Sequence, residues 1–281
     1  MKWTIAFDSG CDLRNFASIP GGDVALELVP LNILLGQQEV VDDGQTSLEE
    51  LQHRLDERPG KTGTACPSVG DWTRAMAQGD KVLAITISGA VSGSYQSACA
   101  ARDMLLEEDP DREIFVLNSV SGSGGMQALV CCALDQIERG ASFEAVCQAM
   151  KDCRSRSEIF FLLQNVDNIM SNGRLNPVIG KAIKALKLKL LATVSPEGTL
   201  EVIGKVCSFE KAMDRSIQEC LDRGCTPRKV IISHCMNPDG ASLMQEKLLA
   251  RFPGLKVTIM ETGLLCGYYA EKGGLIVALE G

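Results

Sequence analysis

The sequence predicts an α/β protein of two domains, and three observations carry that prediction. Apolar runs of β type alternate with helical patterns almost from end to end, as parallel strands joined by crossover helices require. Several of those strands finish in small hydroxyl and glycine residues. Near residue 158 the rhythm restarts, and Pro196-Glu197-Gly198 joins two strands directly, which marks a different, mixed sheet. The length of 281 residues fits two domains of roughly 150. The expected division is an N-terminal α/β domain over 1–158, a parallel sheet between helices, and a C-terminal α/β domain over 159–281.

Residues 3–7 read as the first strand, ending in Asp8-Ser9-Gly10, and 24–31 as the second. Ser47-Leu48-Glu49-Glu50 has the form of a capping box, in which the serine hydroxyl and Glu50 satisfy backbone donors at a helix start. That helix stops by Pro59-Gly60, and 61–67 read as a loop. Ser68 and Asp71 open the next helix before Trp72 and Met76. Strand 81–87 runs into Ser88-Gly89-Ala90-Val91-Ser92-Gly93, and a helix follows from Ser94 to about residue 107. Strand 113–117 leads to a loop from Asn118 through Gly125 and a helix closed by Gly140. In the second half come a strand at 159–163, short helices around 172–184, and two strands within 187–206. A long helix over 209–223 ends at Gly224, then strand 230–233, a helix, a strand, a loop and a last strand.

Thirty-six acids against 28 bases give a net charge of -8 with no basic cluster, which opposes nucleic-acid phosphates and anionic lipid surfaces. No run of eighteen apolar residues is present to cross a bilayer, and the first residues lack the pattern of a signal peptide. The expectation is a cytoplasmic protein with no nucleic-acid partner and no stable membrane insertion. The twelve cysteines, such as Cys99, Cys131, Cys132 and Cys147, sit in apolar surroundings and read as core fillers. Cys225, His234 and Cys235 lack the paired short spacings of a zinc site, so no metal is expected.

Ligands of a doubly wound sheet sit beyond the carboxyl ends of its strands, where the Ser/Gly loops converge. Glycine admits a close ligand, hydroxyls donate, and the amides of a following helix favour negative charge. Ser92 and Gly93, just before the helix at Ser94, are the best-placed group for a carboxylate or phosphate. The plainer reading is that such residues only cap helices and turn the chain. Neither Ser88 nor Ser92 lies in a Gly-x-Ser-x-Gly elbow, and only His53 and His234 could serve a serine nucleophile. The phosphate-loop and dinucleotide fingerprints are missing too. Asp8, Asp12 and Asp71 could supply an acid/base pair, but Asp12 and Asp71 read as helix-start residues, and no catalytic residue is assigned.

Taken in order, Asp8-Ser9, the segment from Thr64 to Trp72, the segment from Ser88 to Ala98, and Asn118-Ser119 through Ser123 resemble the motifs of the DegV family. Gly173-Arg174 and Lys189 match later family positions. The resemblance implies a two-domain DegV-like fold holding one long-chain fatty acid between its domains, carboxylate at the loops and acyl chain in an apolar tunnel, with no cofactor. It also implies presentation of the bound acid to a separate fatty acid kinase. Carried over, Thr64, Ser92 and Gly93 are the carboxylate contacts, supported by Ser88, Ser123 and Asn118. Two departures bear on the kinase: Cys207-Ser208-Phe209 replaces an Arg-Thr-Arg run, and Glu261-Thr262-Gly263 replaces His-Thr-Gly. A Glu261 facing the head group would repel it unless protonated or paired with Lys189 or Arg174. A carrier is therefore expected ahead of a kinase partner, the alternative being an enzyme acting on a small anionic or acyl substrate through the same loops.

Overall fold

In the computed structural model, which describes residues 2–14, 24–57 and 60–281, the first sheet is wholly parallel. It contains β1 (Trp3–Asp8), β2 (Val24–Val29), β6 (Lys81–Thr86) and β7 (Glu113–Asn118), in the order β2-β1-β6-β7. β1 and β6 each bury five of six residues, as strands covered on both faces must. Alternate side chains serve the two faces. Ile5, Phe7, Leu83 and Ile85 pack on α4 (Gly124–Glu138) and α5 (Phe143–Ser155). Ala6, Val82 and Ala84 pack on α2 (Val69–Met76) and α3 (Ser94–Glu108). The chain passes from β1 to β2 on one side and then to β6 on the other, so a topological switch point lies between β1 and β6.

The second sheet is mixed. It comprises β8 (Ser157–Leu163), β9 (Lys189–Val194), β10 (Leu200–Val206), β11 (Lys229–His234), β12 (Lys256–Glu261) and β13 (Leu275–Glu280), in the order β10-β9-β8-β13-β11-β12. Only β11 and β12 run parallel. One face packs on α8 (Phe209–Asp222) and α9 (Pro238–Arg251). The other meets α6 (Asp167–Ser171), α7 (Pro177–Ala185) and α10 (Leu264–Ala270), together with residues from much earlier in the chain. Those earlier residues belong to α1 (Leu48–Glu57) and to a small antiparallel sheet of β3 (Asn32–Leu35), β4 (Gln38–Val41) and β5 (Thr62–Ala65). Ile33, Leu35, Leu48 and Leu51 thus share a core with Leu163, Leu190 and Ile276.

Several expectations need correction. The strand expected over 24–31 ends at Val29, and Asn32 starts a separate strand. The expected loop at 61–67 contains β5, whose partner β3 supplies the hydrogen bonds that TGTA could not advertise alone. A second helix, α5, follows Gly140, and the expected loop before the last strand contains α10. The short helices start at Asp167, ahead of the expected 172. Ser47 Oγ accepts the Glu50 amide at 3.1 Å, but the Glu50 carboxylate turns to Arg54 and leaves the capping box half-made. At Ser68 and Asp71 both halves form. Gly140 and Gly224 take φ of +74°, the left-handed turn that closes a helix. The helix stop expected at Pro59 lies outside the described residues. Among the described residues no helix is long and apolar enough to cross a membrane.

Candidate functional site

The carboxyl ends of β1, β6 and β7 are drawn together by two side chains that sit behind the loops. Asp8, fully buried at the end of β1, accepts the Gly10 amide at 3.0 Å, the Ile87 amide at 2.9 Å and the Ser94 hydroxyl at 2.5 Å. Burial pushes its carboxyl up to about 6, against the pull of those three donors. Asn118 does the same for the third loop, its Oδ1 accepting the amides of Gly89 and Val120 at 3.1 Å each. Val120 and Ser123 are held at φ +51°, which costs a β-branched or hydroxyl residue on the order of 1–3 kcal/mol. The bond from Ser123 N to Gly10 O, 2.6 Å, helps fix that backbone.

Beyond these loops lies a cavity of about 390 Å³, within the range typical of small-molecule sites. Its polar lining comes mainly from Thr64, Ser88, Ser92, Gly93, Ser123 and Arg174. Leu31, Phe161, Leu163, Leu200, Leu265 and Ile276 give much of the apolar wall, most of it carried by the second sheet and α10. Ser92 Oγ accepts the Ser94 amide at 3.3 Å, which places Ser92 and Gly93 at the amino end of the fifteen-residue α3. The unsatisfied amides and dipole of that helix favour an anion there. Arg174 is the only charged side chain lining the cavity among the described residues. Its Nε donates to Val91 O at 3.2 Å and its Nη1 to Asn172 O, so the guanidinium is fixed while other N–H groups stay available.

Four seams close the cavity. Ser88 Oγ donates to Gly198 O at 2.6 Å, tying the β6 loop to the hairpin between β9 and β10. β5 is joined to α10 by two hydroxyl pairs, Thr62 with Tyr268 at 2.7 Å and Thr64 with Tyr269 at 2.8 Å. Asp42 Oδ1 and Oδ2 accept the Leu264 and Leu265 amides at 3.1 and 3.0 Å, capping α10 from far away in sequence, and Arg14 pairs with the same carboxylate at 2.9 Å. Asp12 accepts the Gly263 amide at 2.8 Å and the Ser123 hydroxyl. Leu13 and Arg14, which follow Asp12, are not helical, so no helix starts directly at Asp12. Asp12 is a buried bridge whose carboxyl burial pushes upward and Arg14 pulls back.

Of the residues singled out in the sequence, Thr64, Ser88, Ser92, Gly93, Ser123 and Arg174 line the cavity. Asn118 does not; it braces the loops from behind. Lys189 and Glu261 are also outside the lining. Lys189 opens β9 opposite Val206, and Glu261 is exposed at the end of β12 opposite His234. His234 itself is half-buried, which lowers its pKa against the raising effect of Glu261. It is not in the cavity wall, and His53 sits on α1 beside Glu57. Sequence reasoning missed Asp42, Tyr268 and Tyr269; the paired tyrosines after Gly267 were the one local signal.

Fold and site together define an α/β protein in which hydroxyls, helix-end amides and one guanidinium border an apolar cavity between a parallel and a mixed sheet. Residues 2–280 match the family model described as "Uncharacterised protein, DegV family", and the chain belongs to the DegV family. A DegV domain-containing protein of Streptococcus pyogenes serotype M1 is 34% identical over 280 residues, covering 100% of both chains. The crystal structure of the fatty acid kinase (Fak) B3 protein of Streptococcus pneumoniae, loaded with linoleic acid, superposes with a TM-score of 0.96. It is 32% identical and covers 100% of this chain and 99% of that one. A DegV family protein from Eubacterium eligens loaded with heptadecanoic acid gives a TM-score of 0.92 at 30% identity, covering 99% of each chain.

Proposed function

We propose that the protein is a non-catalytic cytoplasmic carrier that holds one long-chain fatty acid between the domains formed by residues 1–158 and 159–281. The observation that carries this reading is the cavity itself, whose polar lining is drawn mainly from the strand-end loops, with Thr64 of β5, Arg174 and Tyr269 beside them, while most of the remaining wall is apolar. Thr64, Ser92 and Gly93 contact the carboxylate, with Ser88, Ser123 and Asn118 supporting them and Arg174 supplying the positive charge. Each buried methylene contributes about 0.8 kcal/mol, so a dozen offer roughly 10 kcal/mol of gross binding while the head group sets the direction of entry. The likeness to proteins solved with linoleic and heptadecanoic acids supports the same ligand class.

The test is to denature freshly purified protein, identify released lipid by mass spectrometry, and titrate the emptied protein with oleic acid. A long-chain acid recovered intact is the expected result. An empty protein that also refuses oleic acid would overturn the proposal.

A second reading, hand-over of the acid to a fatty acid kinase, is favoured by the likeness to the Fak B3 protein. Cys207 is exposed and Glu261 is outside the cavity wall, so neither replacement disturbs the bound acid, though both change the surface a kinase would meet. The enzyme alternative lacks a base: neither histidine lines the cavity, and Asp8 lies outside its wall with its oxygens bonded to protein donors.

A further inference from the structure

Resting on the fatty-acid reading, we propose that Tyr269 is a positioning residue that orients the Thr64 hydroxyl proton toward the acid's carboxylate. The two hydroxyls lie 2.8 Å apart, and both side chains line the cavity. Two hydroxyls carry two protons, and one bond between them uses one. The other proton is free for the ligand, and which oxygen keeps it decides where it points.

Chemistry favours tyrosine as the donor within the pair. A phenol is far more acidic than an aliphatic alcohol, and the Arg174 guanidinium sits 6.0 Å from the centre of the Tyr269 ring, on the face where a cation is attracted. With Tyr269 donating, Thr64 Oγ1 is filled as an acceptor and its own proton turns to the cavity. An anionic head group completes a chain from phenol to alcohol to carboxylate, in which each bond polarises the next. A neutral head group pulls less on that chain.

The geometry also explains why the pair holds still. Thr62, two residues before Thr64 and on the same side of β5, bonds to the adjacent Tyr268, and Asn172 donates to that phenol at 2.8 Å. The Tyr268 ring packs edge-on to Tyr269 with centroids 5.0 Å apart. The Tyr269 ring is thus braced by Tyr268 on one side and Arg174 on another, leaving its hydroxyl aimed at Thr64.

The experiment measures affinity for oleic acid and for oleyl alcohol in the wild type, Tyr269→Phe, Thr64→Val and the double variant. Tyr269→Phe is expected to weaken oleic acid by roughly 3- to 10-fold and oleyl alcohol less than about twofold. The double variant should lose no more than Thr64→Val alone, since Tyr269 acts through Thr64. Thr64→Ser, which keeps the hydroxyl, should restore the sensitivity to Tyr269→Phe. Losses that multiply in the double variant, equal losses for acid and alcohol, or no loss at all would each overturn the assignment. Retained alcohol binding shows that a variant is folded; if Tyr269→Phe does not fold, Thr64→Val binding the acid as tightly as the wild type overturns the assignment. A wild type that binds no oleic acid would defeat the carrier reading itself, a separate outcome.

Discussion

Ser88 and Gly198, 110 residues apart, are joined by a 2.6 Å bond from the serine hydroxyl to the glycine carbonyl, both within the cavity lining. Gly198 has φ +94°, so only glycine sits there without strain, and a methyl group at that point would collide with Ser88 Oγ. Gly198→Ala is expected to cost about 1–3 kcal/mol of stability and to lift the hairpin from the β6 loop. Thermal unfolding gives the first effect; faster release of oleic acid gives the second. A variant as stable and retentive as the wild type would show that the hairpin is not a seal.

Asp42 is buried with Arg14 and the amino end of α10 as its partners. Its replacement by alanine strands an arginine and two amides together, a loss of about 3 kcal/mol. Urea denaturation should reveal it as a lower midpoint. Asp42→Asn, which keeps one acceptor oxygen, should lose less.

Asp8 gives the protein a pH signature. Its carboxyl lies near 6 in the fold against an ordinary value of 3.8, so between those values the folded state binds more proton than the unfolded chain. Stability from this group is present in full below about pH 4 and is lost as pH rises through about 6, by roughly 3 kcal/mol in all. Asp12, also raised, adds to the same trend. Unfolding free energies from pH 4.5 to 7.5 should therefore fall less steeply in Asp8→Asn than in the wild type. An unchanged slope would mean that Asp8 is already ionised at pH 4.5.

Ser92 stands at the amino end of α3 and lines the cavity. Ser92→Ala should weaken oleic acid binding by about 1–3 kcal/mol, the cost of leaving a buried carboxylate short of a donor. Isothermal titration is the direct measure, and unchanged affinity in a folded variant removes Ser92 from the head-group site.

What could be read from the chain alone was what is encoded locally. β6 carries a four-residue apolar run, Val82 to Ile85, and is followed by Ser88-Gly89, and the Ser68-Asp71 box is complete within four residues. The lining residues Ser88, Ser92 and Gly93 all lie within the six residues that follow Ile87. The small sheet was illegible because NILL, QEVV and TGTA are four residues each and become strands only by pairing with one another. Asp12 misled because a short acid after a strand looks like a cap, while its actual partners, Ser123 and Gly263, lie 111 and 251 residues on. Tyr269 stood out only as one of a tyrosine pair after Gly267, because its meaning depends on Thr64, 205 positions earlier.

β13 enters the mixed sheet at its middle, between β8 and β11, and its Ile276 faces the cavity. A nascent chain therefore cannot assemble this container piecemeal. Until β13 is in place, the halves of the sheet have no shared spine, the greasy wall stands open to water, and the vessel and its stopper form in one step.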